Sequence, residues 1–227
     1  MPPSPIIITL DGWSSCGKST LAKALAKALG YVFVDSGAMY RAVTLYFLRN
    51  EVDLSSEKQV QKALSEIELG FVFNAGRGAS DVYLNGENVE PLIRDMKVAE
   101  KVSKVAALPL VRKFAVQQQQ RMGAAKGIVM DGRDIGTVVF PNAQLKIFMT
   151  ADQETRVKRR FMELSASDPA ITLEAVRENL ARRDHMDATR EESPLRQAVD
   201  ARVLDNTHLN PQEQFEMALG WAKEAIR

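Results

Sequence analysis

Gly12-Trp13-Ser14-Ser15-Cys16-Gly17-Lys18-Ser19 sets two glycines at the ends of a short run and follows the second at once with a lysine and a hydroxyl. Glycine at both ends lets the chain wrap so that successive backbone N–H groups point inward, and a helix opening near Gly17 adds its positive end to the same hollow. A hollow of this kind cradles the phosphates of a nucleoside triphosphate. Lys18 reaches the β- and γ-phosphates, the Ser19 hydroxyl is set for Mg²⁺, and Thr20 follows toward the α-phosphate. The bland alternative is a glycine turn with a solvated lysine, and the strand and helix expected on either side weigh against it. Cys16 has two readings, a thiol activated at a helix N-terminus or simply a small tolerated side chain, and the second is favoured.

The flanking segments have the character such a loop requires. Ile6-Ile7-Ile8-Thr9-Leu10 is a short apolar, β-branched run without polar alternation, as in a strand buried on both faces of a parallel sheet. From Gly17 the periodicity is helical, with Leu21, Leu25 and Leu29 in one row and Gly30 as the terminator. Tyr31 to Val34 reads as a second buried strand, ending at Asp35, and Ala38 to Leu48 as a helix. Near residue 65 the pattern changes: Ile67, Leu69, Phe71 and Phe73 alternate, Val82 and Leu84 do likewise, and Asn85-Gly86 marks a type I′ hairpin. This predicts a small antiparallel insert. Parallel-sheet strands resume at Ile128 to Asp131 and Leu145 to Met149, Arg202 to Leu204 forms a last strand, and a closing helix begins near Pro211.

A triphosphate loop does not name the acceptor, since motors, switches and kinases share it. The arginines do more. Arg41, Arg94, Arg112, Arg133, Arg156, Arg159, Arg160, Arg182, Arg183 and Arg190 supply the bidentate positive groups that two phosphorylated reactants need if they are to be held in line. No kinase-type H-R-D segment is present to deprotonate a hydroxyl acceptor. A phosphate monoester, with a second pKa of about 6, is already an anion near neutral pH and needs no base.

Lys+Arg 30 against Asp+Glu 29 gives a net charge of +1, which excludes a bulk polycation for nucleic acid. A single cysteine and two histidines exclude a disulfide framework or a Cys-rich zinc site. Met1-Pro2-Pro3-Ser4-Pro5 lacks the basic and apolar regions of a signal peptide, and no apolar run approaches the roughly 20 residues of a membrane span. A soluble, cytoplasmic protein without a membrane partner is the expectation.

Asp35-Ser36-Gly37-Ala38-Met39-Tyr40-Arg41 and Asp131-Gly132-Arg133-Asp134-Ile135-Gly136-Thr137-Val138-Val139-Phe140-Pro141, with Arg183-Asp184 and Ser193-Pro194-Leu195 further on, resemble the bacterial cytidylate kinase family of nucleoside monophosphate kinases. The resemblance extends from Ile6 to the final helix, and departs in the loop, where Trp13, Ser15 and Cys16 replace the family's common Pro, Gly and Ala. It implies an α/β fold of the P-loop nucleoside triphosphate hydrolase type: a parallel five-stranded sheet flanked by helices, an antiparallel insert in the monophosphate-binding lobe, and a short helical lid. The lobes are expected as a core of 1–50, 96–150 and 191–227, an insert at about 51–95 and a lid at about 151–190. The implied activity is transfer of the γ-phosphoryl group of ATP, with Mg²⁺, to CMP or dCMP, by a monomer. A kinase for another small acceptor such as UMP, or an ATPase switch, are the alternatives.

The resemblance also implies residue roles. Gly12 to Thr20 bind ATP, and Lys18, Arg133, Arg156, Arg160 and Arg183 are catalytic. Ser14, Ser36, Gly37, Tyr40, Arg41, Ser103, Arg112, Arg133, Asp134, Arg183, Asp187 and Arg190 surround the acceptor. Arg41, Arg133 and Arg190 are assigned to its phosphate, Arg112, Ser103 and Asp134 to the cytosine edge, and Asp187 to a sugar hydroxyl and to fixing Arg183. Besides Ser19, Asp131 and Asp35 are each candidates for the metal or, equally, for capping a helix or orienting an arginine.

Overall fold

The computed structural model describes residues 4–74, 76, 79–166 and 169–227. Met1 to Pro3, part of the N-terminal segment read above, and the side chain of Phe73 lie outside the described parts. In chain order the elements are β1 Ile7–Gly12, α1 Lys18–Leu29, β2 Val32–Asp35, α2 Ser36–Arg49, α3 Glu57–Ser65, β3 Leu69–Asn74, β4 Ala79–Leu84, β5 Glu87–Asn88, α4 Met96–Ala106, α5 Pro109–Met122, β6 Ile128–Gly132, β7 Leu145–Thr150, α6 Gln153–Ser165, α7 Leu173–Thr189, β8 Arg202–Asp205 and α8 Pro211–Ile226. A π-helical turn, Ile135–Val139, follows β6. No described helix is long and apolar enough to cross a membrane. The described residues pack as two units, the first running to Val32 and resuming with Lys126–Arg227, the second Phe33–Ala125.

The main sheet is five-stranded, ordered β2-β6-β1-β7-β8. β1 lies parallel to β6 on one side and to β7 on the other, so both of its edges are hydrogen-bonded and both of its faces are covered. That explains its sequence: Ile8 and Leu10 are fully buried, as are Met130, Ile147 and Met149 in neighbouring strands. The second strand begins one residue later than its composition suggests. Gly30 ends α1 in the left-handed region at φ 67°, and the Tyr31 hydroxyl, outside the strand, accepts a hydrogen bond from Ile6 N at 3.1 Å.

The second unit carries its own core, in which Val43 and Phe47 of α2, Val60 of α3, Val82 and Leu84 of β4, Val105 of α4 and Val111 of α5 pack together. The antiparallel insert is present as the sheet β3-β4-β5, with Asn85 and Gly86 at φ 50° and 83°, as a type I′ turn demands. Ile67 is buried but precedes β3 rather than lying within it. In the first unit, the segment 151–190 read as a short helical lid holds two helices, α6 and α7, of 13 and 17 residues. Val157, Val176 and Leu180 between them, with Phe161, Leu164 and Ile171, form a separate apolar cluster, and it is this mutual burial that sustains helices of that length.

The two glycines of the phosphate loop are required for different reasons. Gly12 lies opposite Met149 in the β1–β7 ladder at φ 144°, and a Cβ there would stand 2.0 Å from the Met149 carbonyl oxygen. Gly17, at φ 79°, has no heavy atom within 4 Å of the Cβ position, so only its backbone angle is demanding. Gly17→Ala should therefore fold with a loss of about 1–2 kcal/mol, the cost of a left-handed L-residue. Gly12→Ala should lose several-fold more because β1 and β7 must separate, and comparison of the two by thermal unfolding checks the ranking.

Candidate active site

β1 delivers the chain to Gly12, and α1 starts at Lys18 with Gly17 as its cap, so the residues between are forced into a tight curve with Ser15 at φ 61°. Lys18 is only 6% exposed, and its Nζ donates to the Trp13 carbonyl oxygen across the loop at 2.6 Å. Burial, and then the neighbouring Arg133 charge, lower its pKa to about 8. Cys16 is fully buried, and burial pushes its thiol up despite Lys18, Arg156 and Arg133. That is the opposite of an activated thiolate, and it fits the reading of Cys16 as a small packing residue. Ser19 donates from Oγ to Asp131 Oδ2 at 2.6 Å, while Gly17 and Thr20 face outward.

Arginine side chains converge on the same curve. Arg133, just beyond β6, donates from Nη2 to Ser14 Oγ at 2.8 Å and from Nε to Asp187 Oδ2 at 2.7 Å. Arg156, in the first turns of α6, donates to Ala151 O at 3.1 Å and to Ser14 O at 3.4 Å, pairs with Asp184, and stands 5.9 Å from the centroid of the Trp13 ring. Asp184 in turn accepts from Ser14 N at 3.4 Å. Arg190, at the end of α7, donates twice to Ser193 O and lies 3.6 Å from Asp134 and 3.9 Å from Asp187. Burial alone would raise the Asp187 carboxyl, but Arg133, Arg190 and Arg183 outweigh it and hold the group below the usual carboxylate range. Ser14, Arg133, Asp134, Arg156, Asp187 and Arg190 are thus one connected set, and Arg183 acts on Asp187 through its charge. Arg160 takes a different partner, Glu163 at 2.8 Å on its own helix.

The remaining predicted residues lie in the second unit. Asp35 caps α2 by accepting from Ala38 N at 3.0 Å, the capping alternative, and lies 3.9 Å from Arg94, which is paired with Glu90. Ser36 and Gly37 open that helix, and a Cβ on Gly37 would come 3.1 Å from Asp35 Oδ1. Tyr40 is buried with the Arg112 guanidinium 5.4 Å above its ring, and Arg112 also donates to Ala106 O at 3.2 Å. Arg41 on α2 and Ser103 on α4 are half-buried.

Three residues that carry this geometry were given no role by the sequence, although Asp184 lies in one of its motifs. Asp11 is buried and accepts from Ile135 N at 2.8 Å and Gly136 N at 2.7 Å, anchoring the turn that follows Arg133 and Asp134. Burial raises its carboxyl to about 6 against the pull of those two bonds. Asp184 joins the loop to Arg156. Asn206, just beyond β8, donates from Nδ2 to Cys16 O at 2.7 Å, and its position outside a strand's carboxyl end is where open α/β sheets bind ligands. Beside it a cavity of about 770 Å³ runs from Cys16, Gly17 and Thr20 past Arg159 to Leu209 and Pro211, a volume suited to a nucleoside.

Residues 8–224 match the family model for cytidylate kinase. A cytidylate kinase of Parabacteroides distasonis is 56% identical over 224 residues, 97% of this chain and 98% of its own. One from Bacteroides fragilis is 51% identical over 225 residues, 98% of each chain. Among solved structures, a shikimate kinase from Bacteroides thetaiotaomicron superposes with a TM-score of 0.50 at 12% identity, covering 97% of this chain and 98% of that one, a likeness of fold alone. The loop, the strand that presents it and the match along nearly the whole length place the chain in the cytidylate kinase family.

Proposed function

We propose that this protein transfers the γ-phosphoryl group of ATP to CMP or dCMP, giving ADP and the diphosphate. What supports this reading above all is the convergence of Lys18, Arg133 and Arg156 on one glycine-bounded loop in a chain that matches this family from residue 8 to 224. An oxygen of the acceptor phosphate attacks the γ-phosphorus, and the β–γ bridging oxygen leaves with the electron pair of the broken bond. The acceptor is already anionic at neutral pH, so no side chain has to remove a proton. The protein's contribution is position and positive charge.

Loop N–H groups and Lys18 hold the triphosphate, with Gly12 to Thr20 around it. Arg156 releases Asp184 and Ser14 O as phosphate oxygens arrive, and Arg160 and Arg183 complete the charge on the transferring group. By the same reading Ser14, Arg133, Asp134, Arg183, Asp187 and Arg190 contact the acceptor. The donor nucleoside occupies the cavity beside Asn206. The lobes keep the sequence-based bounds, and the enzyme works as a cytoplasmic monomer.

Ser19 and Asp131 fit Mg²⁺: a hydroxyl and a carboxylate 2.6 Å apart are the hard oxygen donors that this ion prefers, and Asp131 keeps Ser19 aimed. When bound, the ion neutralises charge on the β- and γ-phosphates. Asp35, engaged as the cap of α2, is the weaker of the two carboxylate candidates.

ADP release with ATP and Mg²⁺ should require CMP or dCMP and be near background with UMP, AMP, GMP or no acceptor; release without acceptor would instead identify an ATPase. Lys18→Ala should remain folded while kcat falls by about two to four orders of magnitude, as for loss of a charged group acting on the transition state. Arg133→Ala should raise the KM for CMP as well as lower kcat, and unchanged CMP dependence would displace the acceptor from this arginine. Chelation of Mg²⁺ should abolish turnover, and Ser19→Ala should shift the Mg²⁺ requirement upward in a titration at fixed ATP.

A further inference from the structure

Asn206 is 1% exposed, and every hydrogen-bonding group of its side chain is engaged. Nδ2 donates to the Cys16 carbonyl oxygen at 2.7 Å and to Gln214 Oε1 at 2.8 Å, while Oδ1 accepts from Arg159 Nη1 at 2.9 Å. Its backbone carbonyl accepts from Arg159 Nη2 at 2.8 Å, so the guanidinium fork straddles a single residue. Asn206 N donates to Thr150 O at 2.9 Å, which fixes the residue to the end of β7. Gln214 is itself held, donating to Leu209 O at 3.0 Å.

This places one amide between three bodies: the phosphate loop at Cys16, α6 through Arg159, and the start of α8 through Gln214. Cys16, Arg159, Asn206 and Gln214 all line the 770 Å³ cavity. The amide carries its donor and its acceptor on separate atoms, so it donates to the loop carbonyl and to Gln214 while it accepts from the arginine. Aspartate lacks the donor, and alanine lacks both.

We propose that Asn206 is a positioning residue for the donor nucleotide, setting Arg159 at the rim of the base-side cavity and holding the phosphate loop in register with it. The inference rests on the reading of that cavity as the donor's. A triphosphate spans both ends of the linkage, and a loop and an arginine that are no longer tied together must be ordered at the expense of its affinity. An acceptor does not span it, so its affinity is independent of the amide.

The test is Asn206→Ala, with MgATP affinity measured by titration calorimetry in the absence of any acceptor and KM values for ATP and CMP measured separately. ATP affinity should fall about ten-fold or more, with a parallel rise in KM for ATP and the KM for CMP within about two-fold of the parent. Arg159→Ala should move ATP in the same direction, and the double variant should be little weaker than the worse single one, because both act through one linkage. A merely architectural residue would lower melting temperature and active fraction with both KM values unchanged, and that result, or unaltered ATP affinity in folded Asn206→Ala, would overturn the proposal. If the alanine variant does not fold, Asn206→Asp keeps the acceptor for Arg159 and removes the donor to Cys16 O; weakened ATP binding is again expected, and parental affinity would overturn it. ATP binding is read without acceptor, so an error in the acceptor assignment would appear separately, as absent CMP-dependent ADP release by the parent protein.

Discussion

Three cations, the buried Lys18 and Arg156 and the half-buried Arg133, share the space around one loop, and like charges so close repel unless anions stand among them. The protein meets this with carboxylates from elements far apart in sequence. Asp187 pairs with Arg133, Asp184 with Arg156, and Asp131 faces α1 through Ser19. Among the described residues no carboxylate stands at hydrogen-bonding distance from Lys18, which leans on the Trp13 carbonyl, and burial and Arg133 draw its pKa down to about 8. A triphosphate would relieve the same repulsion more completely, so the charge arrangement is stable without nucleotide yet gains most when one binds.

That arrangement explains the placement of the helices beyond β7. α6 brings Arg156 and α7 brings Asp184, Asp187 and Arg190, and the apolar cluster of Val157, Val176 and Leu180 keeps the pair together. Helix pairs with a small core of their own are suited to moving as a body, since few apolar contacts tie them elsewhere. Their grip on the loop is instead polar, through Ser14 and Arg156, and polar contacts can exchange one anion for another. Beneath the loop, Asp11 performs a quieter task. Its carboxylate bonds to two backbone N–H groups and anchors the turn that follows Arg133 and Asp134, joining the loop strand to the arginine segment through the backbone itself.

The loop and its strand were legible because their signal is local. A glycine at φ 144° pressed against a neighbouring carbonyl, a left-handed glycine at a helix start and a doubly covered apolar strand each leave a mark in a handful of consecutive residues. The same holds for Asn85-Gly86, whose backbone angles admit few other pairs. The pairing of α6 with α7 was not legible, because two helices that bury their faces on one another look, one at a time, like a charged surface stretch. Arg159 and Arg160 are adjacent and alike in sequence, yet one turns to Asn206 and the other to Glu163.

The sequence by itself therefore determined the phosphate cradle, the α/β class, the antiparallel insert and the supply of arginine, since backbone stereochemistry and hydrophobic period act over a few residues. Only the tertiary structure decided which carboxylate meets which arginine. Asp184 lies 170 residues from the Ser14 amide it accepts from, and Asn206 lies 190 residues from the Cys16 carbonyl it donates to. A buried amide or carboxylate takes its role from partners that the fold brings within about 3 Å, and no spacing along the chain encodes that distance.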